Sequence, residues 1–353
     1  MRILFDGYWW GSGSIANRTV QREFILAWTR EFPDDEAIVA VRRGIAVTDL
    51  PPGVRVERRR LWPHALSNRI ELSSLARRLS ADGVLAHNFA PRARGSLTFV
   101  HDLMFVEHPE WFSWAERRYF AGMVAMNRGQ RLASSTATEA RRIERWVTGS
   151  PRVHDVGLAV GPELAAAEPS PPAGAPDVES FAMVVGRLNE RKNVSAVIEG
   201  AAASASIDPA HPLLIVGGSA HSGVSAQLSA AARAAVGDGT ARFLGTIDDA
   251  ALAWLYRHTA LVIFLSLDEG FGLPALEGAW FGAPLLVSDI PVFRETVGSV
   301  AHVVDPRSPS AEIARAIDAA WAQRPDGVAV EQIRARYSWE RSVHGLRDAM
   351  HAG

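Results

Sequence analysis

The sequence has no cysteine and only one lysine, Lys192, among 37 cationic side chains. Without cysteine, disulfides and thiolate metal sites are excluded. No pair of histidines has zinc-motif spacing, and no D-x-D triplet is present to hold a metal against a diphosphate. No apolar stretch reaches the length of about 18 residues that spans a membrane, and the apolar start is too short for a signal peptide. We therefore expect a cytoplasmic, metal-independent protein without a cofactor.

Length and charge suggest two unlike halves. The 353 residues are 48% hydrophobic and 22% charged, which suits a globular protein of two domains. Residues 1–160 carry 23 cationic and 17 acidic side chains, whereas residues 161–353 carry 14 and 22. The basic half suits an anionic membrane or a phosphorylated acceptor, with solvated arginine-rich helix faces as the alternative. No aromatic-basic stripe indicates nucleic-acid binding.

Short apolar runs alternate along the chain with stretches of amphipathic helical periodicity. Continuous apolar runs separated by helices are typical of parallel sheets that are covered on both faces. The runs occupy residues 3–5, 37–41, 84–86, 97–100, 181–185, 213–216, 261–265 and 285–287. The pattern predicts an α/β fold with two Rossmann-like domains facing across a cleft, where ligands bind at the carboxyl ends of the strands.

A proline-rich stretch at residues 168–176 marks the division between these domains. Such a sequence packs poorly as helix or strand. We predict an N-terminal domain over residues 1–165, a linker over 166–180 and a C-terminal domain over 181–335.

The lone lysine stands in a predicted strand-to-helix turn. Gly186 follows an apolar run, cations surround Lys192, and a helical pattern begins at Val194. The start of a helix offers free N–H groups and the positive end of its dipole to an anion. Lysine binds phosphate as a compact point charge. We interpret Lys192 as a phosphate ligand, the alternative being a surface lysine without a ligand.

One segment of the C-terminal half combines a glycine loop with two glutamates. Gly270 and Gly272 let the backbone approach a ligand closely, and Pro274 suits the first turn of a helix. Glu277 then falls one turn into the helix, and Glu269 stays in the loop. Carboxylates accept hydrogen bonds from vicinal hydroxyls, so the segment suits a sugar nucleotide. A preference for acids at a helix start would account for Glu277 alone.

At these residues the chain resembles a known family. Glu269 and Glu277, with Gly-Phe-Gly between them, resemble the E-x7-E motif of retaining GT-B glycosyltransferases of family 4. The turn 186–193 resembles the diphosphate site of that family. In the N-terminal half the resemblance rests on the turn 11–13 and the segment 100–110. The family's Pro-Asn-Gly hinge element has no counterpart here.

The resemblance implies a role for each matching residue. Arg187 and Lys192 bind the donor diphosphate, Glu277 binds the ribose hydroxyls, and Glu269 contacts the donor sugar. His101 faces that sugar from the other domain and, with Glu269, Arg187 and Lys192, forms the catalytic set. The other implied donor-binding residues are Gly270, Phe271, Gly272 and Leu273 in the glycine loop, Phe243 and Leu244 at the base pocket, and Gly11, Ser12 and Gly13 near the phosphates or the acceptor.

The resemblance also implies an activity. Family members move a sugar from a nucleotide diphosphate sugar to an acceptor hydroxyl with retention, in polysaccharide or glycoconjugate biosynthesis. The segment 101–113 looks most like members that transfer mannose or rhamnose, so a sugar or lipid-linked saccharide acceptor at the inner face of a membrane is implied. The final helical stretch, residues 336–353, is implied to pack back on the N-terminal domain.

Two other enzyme classes remain open from the sequence. A GT-B sugar-nucleotide epimerase would use the same donor site without an acceptor. A nicotinamide dehydrogenase would need a G-x-G-x-x-G turn, and the segment 11–16 ends in alanine where the motif has its last glycine.

Overall fold

The computed structural model describes residues 1–11, 15–149, 152–172, 178, 180–218 and 227–352. Ser12 and Gly13, two of the predicted donor-binding residues, lie outside these ranges, as does part of the predicted linker. The strands within the described residues are β1 Arg2–Gly7, β2 Glu36–Arg42, β3 Arg55–Arg59, β4 Gly83–His87, β5 Ser96–Phe99, β6 Arg131–Ser134, β7 His154–Asp155, β8 Ala182–Val185, β9 Leu213–Val216, β10 Ala241–Gly245, β11 Leu261–Phe264, β12 Leu285–Ser288 and β13 His302–Val304.

Helices connect these strands. They are α1 Ile15–Glu31, α2 His64–Ser67, α3 Ser73–Arg78, α4 Met104–Glu107, α5 Trp114–Asn127, α6 Ala137–Trp146, α7 Pro162–Ala166, α8 Val194–Ala203, α9 Ala230–Gly237, α10 Asp249–His258, α11 Leu273–Trp280, α12 Pro291–Thr296, α13 Ser310–Ala320, α14 Gly327–Arg336 and α15 Trp339–His351. A π-helical turn, Asn68–Leu72, joins α2 to α3, and 3-10 turns occupy Pro109–Trp111 and Glu190–Lys192. None of the described helices has both the length and the apolar character needed to cross a bilayer.

The strands form two sheets in which every neighbouring pair is parallel. The first has the order β3-β2-β1-β4-β5-β6-β7, and the second has the order β10-β9-β8-β11-β12-β13. All eight predicted runs are strands of these sheets. Their side chains are almost all buried, because helices cover both faces of each sheet. The prediction of two Rossmann-like α/β units is confirmed.

Each sheet belongs to one compact unit. Unit 1 comprises Met1–Leu103, Trp114–Ala159 and Tyr337–Gly353, and unit 2 comprises Met104–Ser113 and Val160–Arg336. The division differs from the predicted boundaries in that unit 2 includes the segment Met104–Ser113 and begins its second part at Val160. Within unit 2, His108 Nε2 of that segment lies 3.7 Å from Asp268 Oδ2.

The last helix, α15, packs on α1 in unit 1. The Trp339 ring meets the Phe24 ring edge-on at 5.7 Å, and the Arg347 guanidinium lies 3.2 Å from an Asp35 oxygen. Ser338 begins α15 by accepting a hydrogen bond from the backbone of Arg341.

Candidate functional site

The glycine loop of unit 2 follows β11 and leads into α11. Gly272 precedes the first residue of α11 with a φ of 83°, a left-handed conformation that favours glycine. A Cβ atom there would stand 2.4 Å from Phe293 Cε1, so the loop also has no room for a side chain. Pro274 lies in the first turn of α11, as predicted. The backbone is therefore fixed where Glu269 leaves the loop.

Glu269 is buried and lies between two cations. Lys192 Nζ donates to Glu269 Oε1 at 2.6 Å, and Arg191 Nη1 donates to Oε2 at 2.7 Å. Burial by itself raises the pKa of Glu269, but Arg191 and Lys192 outweigh burial and lower it to about 2. Glu269 is therefore an ionised carboxylate at neutral pH.

The turn that carries both cations is held by its own backbone and side chains. The Asn189 side chain accepts from the Lys192 N–H at 3.0 Å and caps the 3-10 turn. Asn193 then adopts a φ of 52°, and α8 begins at the next residue. Gly186 lies against the Lys192 stem, because a Cβ at Gly186 would meet Lys192 Cγ and Cδ at 3.6 Å. Lys192 therefore leaves the turn in a defined direction, toward the glycine loop.

Glu277 lies one turn into α11, as predicted, and its partner is a tyrosine. The Tyr256 hydroxyl on α10 lies 2.9 Å from Glu277 Oε2 and 3.1 Å from the Pro274 carbonyl oxygen. Burial raises the pKa of Glu277 to about 7, and the hydrogen bond from Tyr256 opposes that rise. The charge of Lys192 also acts on Glu277. Unlike Glu269, this carboxyl changes its charge near neutral pH.

The structure thus brings four predicted residues together in unit 2. Lys192 contacts Glu269 directly and influences Glu277, and the charge of Arg187 in turn acts on Lys192. Burial lowers the pKa of Lys192, while Glu269 counteracts that shift. Cations and the N–H groups of a glycine loop suit a phosphate group, and carboxylates can accept hydrogen bonds from hydroxyl groups beside it.

The remaining predicted residues of unit 2 lie along the loop and on an edge strand. Gly270 and Phe271 are buried, and Leu273 is half-buried at the start of α11. Phe243 lies on β10 with 39% of its side chain exposed, and Leu244 stands at an irregularity in the pairing of β10 with β9. Their place at a base pocket stays a prediction.

In unit 1, His101 follows β5 and lies over a polar cluster. Its N–H donates to Asn88 Oδ1 at 3.1 Å, and its ring stacks on that of His87 at 5.7 Å. Burial lowers the pKa of His101 to about 3, and His87 and His64 add to the effect, so the ring is neutral. Its buried Nε2 atom has no hydrogen-bond partner within the part of the chain that the structure describes.

Asp6 organises the cluster beneath His101. Its carboxylate accepts from His64 Nε2 at 2.8 Å, from Asn68 Nδ2 at 2.9 Å and from the guanidinium of Arg59. Arg59 is the last residue of β3 and is fully buried, so this cation of the arginine-rich strand is structural. Gly11, the described member of the predicted turn 11–13, is exposed, and a Cβ there would stand 2.6 Å from Ile45 Cγ2.

Two site residues were not singled out from the sequence. Arg191 is one position from Lys192 and shares Glu269 with it, and Tyr256 reaches Glu277 from a different helix. Arg191 could have been found from the sequence by its charge beside Lys192, whereas nothing in the sequence near Tyr256 indicates that it contacts Glu277. Among the described residues, the one group able to ligate a metal ion comprises Glu31, Glu340 and His344 of unit 1, none of them a predicted site residue.

Comparison with known proteins shows which family the C-terminal part of the chain resembles. Residues 168–334 match the family model described as glycosyl transferases group 1. Most of unit 2 therefore matches the group 1 glycosyltransferases. Its match confirms the resemblance to GT-B glycosyltransferases of family 4.

One curated relative and two solved structures illustrate the likeness of the glycosyltransferase domain and of the whole fold. The O-antigen chain mannosyltransferase B of Escherichia coli is 33% identical over 107 residues, which are 29% of this chain and 28% of the relative. Sucrose-phosphate synthase from Thermosynechococcus elongatus has a TM-score of 0.74 at 18% identity, covering 99% of this chain and 98% of that one. Anabaena HepE in complex with UDP and glucose has a TM-score of 0.66 at 16% identity and 99% coverage of both chains. These structural matches show the GT-B fold.

Proposed function

We propose that this protein is a retaining glycosyltransferase that moves a sugar from a nucleotide diphosphate sugar to an acceptor hydroxyl. The observation that carries the proposal is the pairing of Glu269 with Lys192 and Arg191, eight residues before Glu277, within the part of the chain that matches group 1 glycosyltransferases. HepE, a neighbour in fold, is described with UDP and glucose. A diphosphate with hydroxyl-bearing groups at both ends matches these charges.

The proposed reaction is a heterolytic cleavage at the anomeric carbon of the donor sugar. The bond from that carbon to the diphosphate breaks, and a bond to the acceptor oxygen forms on the same face of the sugar. The acceptor proton passes to the departing phosphate oxygen. Arg187 and Lys192 stabilise the charge that develops on the diphosphate, which lowers the barrier because that charge is greatest in the transition state.

The transferred sugar is proposed to be mannose or a mannose-like sugar such as rhamnose. One curated relative that matches part of this chain, the O-antigen chain mannosyltransferase B, is named for transfer of mannose. The chain spans less than a third of that relative's length, 28%. A saccharide acceptor in surface polysaccharide or glycoconjugate synthesis is proposed on the same ground.

We also propose that unit 1 associates peripherally with an anionic membrane. Trp62, Leu66 and Ile70, spaced by four residues, are exposed by 74%, 42% and 51%. Arg69 lies within this stretch, and burial and the nearby charge of Arg92 lower its pKa. Apolar side chains beside two mutually repelling guanidinium groups suit the headgroup region of anionic lipids.

Two experiments test the proposal, first nucleotide binding and then sugar transfer. Thermal shift against nucleoside diphosphates and their sugar conjugates should show stabilisation, because a ligand that binds only the folded state raises Tm. With a donor so identified, saccharide acceptors should release nucleoside diphosphate and yield a product of retained configuration. Glu269→Ala should lower turnover more than nucleotide affinity. An inverted product, or isomerised sugar without an acceptor product, would contradict a retaining transferase.

A further inference from the structure

Arg191 is tied to the glycine loop at three consecutive residues. Its backbone carbonyl accepts the Leu267 N–H at 2.8 Å, and its Nη1 lies 3.3 Å from the Asp268 carbonyl oxygen. The same Nη1 donates to Glu269 Oε2 at 2.7 Å. The residue therefore joins the 3-10 turn of the lysine to the loop of the glutamate.

The two cations hold different oxygens of one buried carboxylate. Lys192 is on Oε1 and Arg191 on Oε2, and Glu269 is only 6% exposed. A buried carboxylate stripped of its partners is costly and takes up a proton. If Lys192 turns to a donor phosphate, Glu269 therefore needs another cation to stay ionised and in place.

We propose that Arg191 is a positioning residue that holds Glu269 on its Oε2 side while Lys192 leaves Oε1 for the donor diphosphate. This inference rests on the proposed function, since it assumes that a diphosphate draws Lys192 away. A guanidinium suits the task better than an ammonium, because its planar, fixed donors reach the carboxylate and the Asp268 carbonyl from one side.

The other groups around Glu269 do not replace Arg191. The Ser266 side chain is neutral, and Asp268 accepts the Glu269 N–H at 2.8 Å but is itself acidic. His108 lies 3.7 Å from Asp268 and interacts with that carboxylate. Arg187 acts on Lys192. Once Lys192 has moved, Arg191 is the cation among the described residues that still contacts Glu269 directly.

Transfer kinetics across pH test this role with Arg191→Gln, Arg191→Lys and a control, Arg315→Gln, at an exposed position of α13. Arg191→Gln should lower kcat on the order of tenfold to a hundredfold, the scale of a misplaced reacting group, with a smaller change in KM for the donor. The acid limb of kcat should move to higher pH, because Glu269 takes up a proton more readily. Arg191→Lys should recover part of the rate, and the control should match wild type.

A second measurement needs no turnover. Because Lys192 is the only lysine, ¹³C-labelled lysine gives one side-chain NMR signal. UDP or GDP, whichever raises Tm, should shift that signal in wild type and in Arg191→Gln. Without nucleotide, the acid titration that this signal senses should lie at higher pH in Arg191→Gln.

The outcomes separate the two proposals. An unchanged kcat and acid limb in Arg191→Gln would overturn the positioning role, and so would an unchanged NMR titration. Loss of nucleotide binding in a folded Arg191→Gln protein would also overturn it, by making Arg191 a phosphate ligand. Failure of wild type to transfer from any donor would instead count against the proposed function and leave the NMR test of Arg191 intact.

Discussion

At the residue scale, the pKa values of the two glutamates of one motif are shifted in opposite directions. Glu269 pairs with two cations and has its pKa lowered to about 2, whereas burial raises the pKa of Glu277 to about 7. Their neighbours decide the difference, since Glu277 is hydrogen-bonded to the neutral Tyr256 hydroxyl. A ribose diol suits the group that is less strongly engaged with cations.

Replacing Glu277 by alanine should weaken nucleotide binding. The ribose hydroxyls lose a charged acceptor worth about 1.5–3 kcal/mol, which corresponds to about tenfold to a hundredfold in Kd. Calorimetric titration with UDP or GDP measures this loss. Equal affinity in wild type and Glu277→Ala would show that the ribose assignment is wrong.

The affinity for nucleotide should also depend on pH through Glu277. Its folded pKa of about 7 means that the carboxyl takes up a proton as pH falls through neutrality and then accepts fewer hydrogen bonds. Affinity should therefore decrease below pH 7 and more in wild type than in Glu277→Gln. The nucleotide's own titration is common to both proteins, so their difference isolates Glu277, and parallel curves would argue against it.

The lone lysine gives a chemical test. Amine-reactive reagents have only two targets, Lys192 and the N-terminal amine, and the latter pairs with Asp35. Modification of Lys192 should abolish transfer, and saturating nucleoside diphosphate should slow the modification. Lys192→Ala should remove about 2.7–4 kcal/mol of transition-state stabilisation, the scale of one preorganised donor.

Lys192→Arg should restore only part of the transfer rate that Lys192→Ala loses, because a planar guanidinium replaces the point charge of an ammonium group. Labelling that nucleotide does not slow, together with near-normal turnover of Lys192→Ala, would mean that the lysine has no part in donor binding. Mass spectrometry of the labelled protein identifies which amine has reacted.

At the scale of elements, the stretch from Trp62 through α2 and the π-helical turn is the part of unit 1 that we propose meets a lipid surface. Replacing Trp62 and Ile70 together by serine should reduce binding to vesicles that contain anionic lipid, because apolar area for insertion is lost. Val328→Ser is a matched control, since Val328 is 63% exposed on unit 2. Sedimentation with anionic and with neutral vesicles measures the effect.

Binding to anionic vesicles should also fall as the salt concentration rises. Most of this binding should be lost once the ionic strength is high enough to shorten the Debye length to about 8 Å. Arg69→Gln with Arg92→Gln should make the remaining binding less sensitive to salt. Wild-type protein that does not sediment with anionic vesicles even at low salt would refute the membrane proposal.

At the scale of the whole molecule, we propose that transfer needs no metal ion. Under this proposal, Arg187, Lys192 and the backbone of the glycine loop would supply positive charge to a diphosphate, and the sequence has no D-x-D triplet. Activity should therefore persist after dialysis against EDTA, measured as nucleotide release in the presence of acceptor. Complete loss on chelation that Mg²⁺ or Mn²⁺ restores would refute this prediction.

The class of fold and several of the residues that meet in the candidate site of unit 2 could be predicted from the sequence. Buried parallel strands are continuous apolar runs, so all eight such runs were identifiable. The strands that were missed are short or lie toward the sheet edges, such as β3 with its arginines and the two-residue β7, where charge or length removes the apolar signal. Glu269, Glu277 and Lys192 were found because glycine, proline and charge mark their turns locally.

Which side chains meet depends on how the chain folds in three dimensions. Arg191 and Glu269 are 78 residues apart, and Asp6 and Arg59 are 53 apart. The assignment of Met104–Ser113 to unit 2 likewise depends on packing. Local periodicity fixes strands, helices and turns, because it reflects which face of an element is buried. The pairing of charges across elements depends on sheet order and on the competition between burial and nearby charge, which a single sequence does not express.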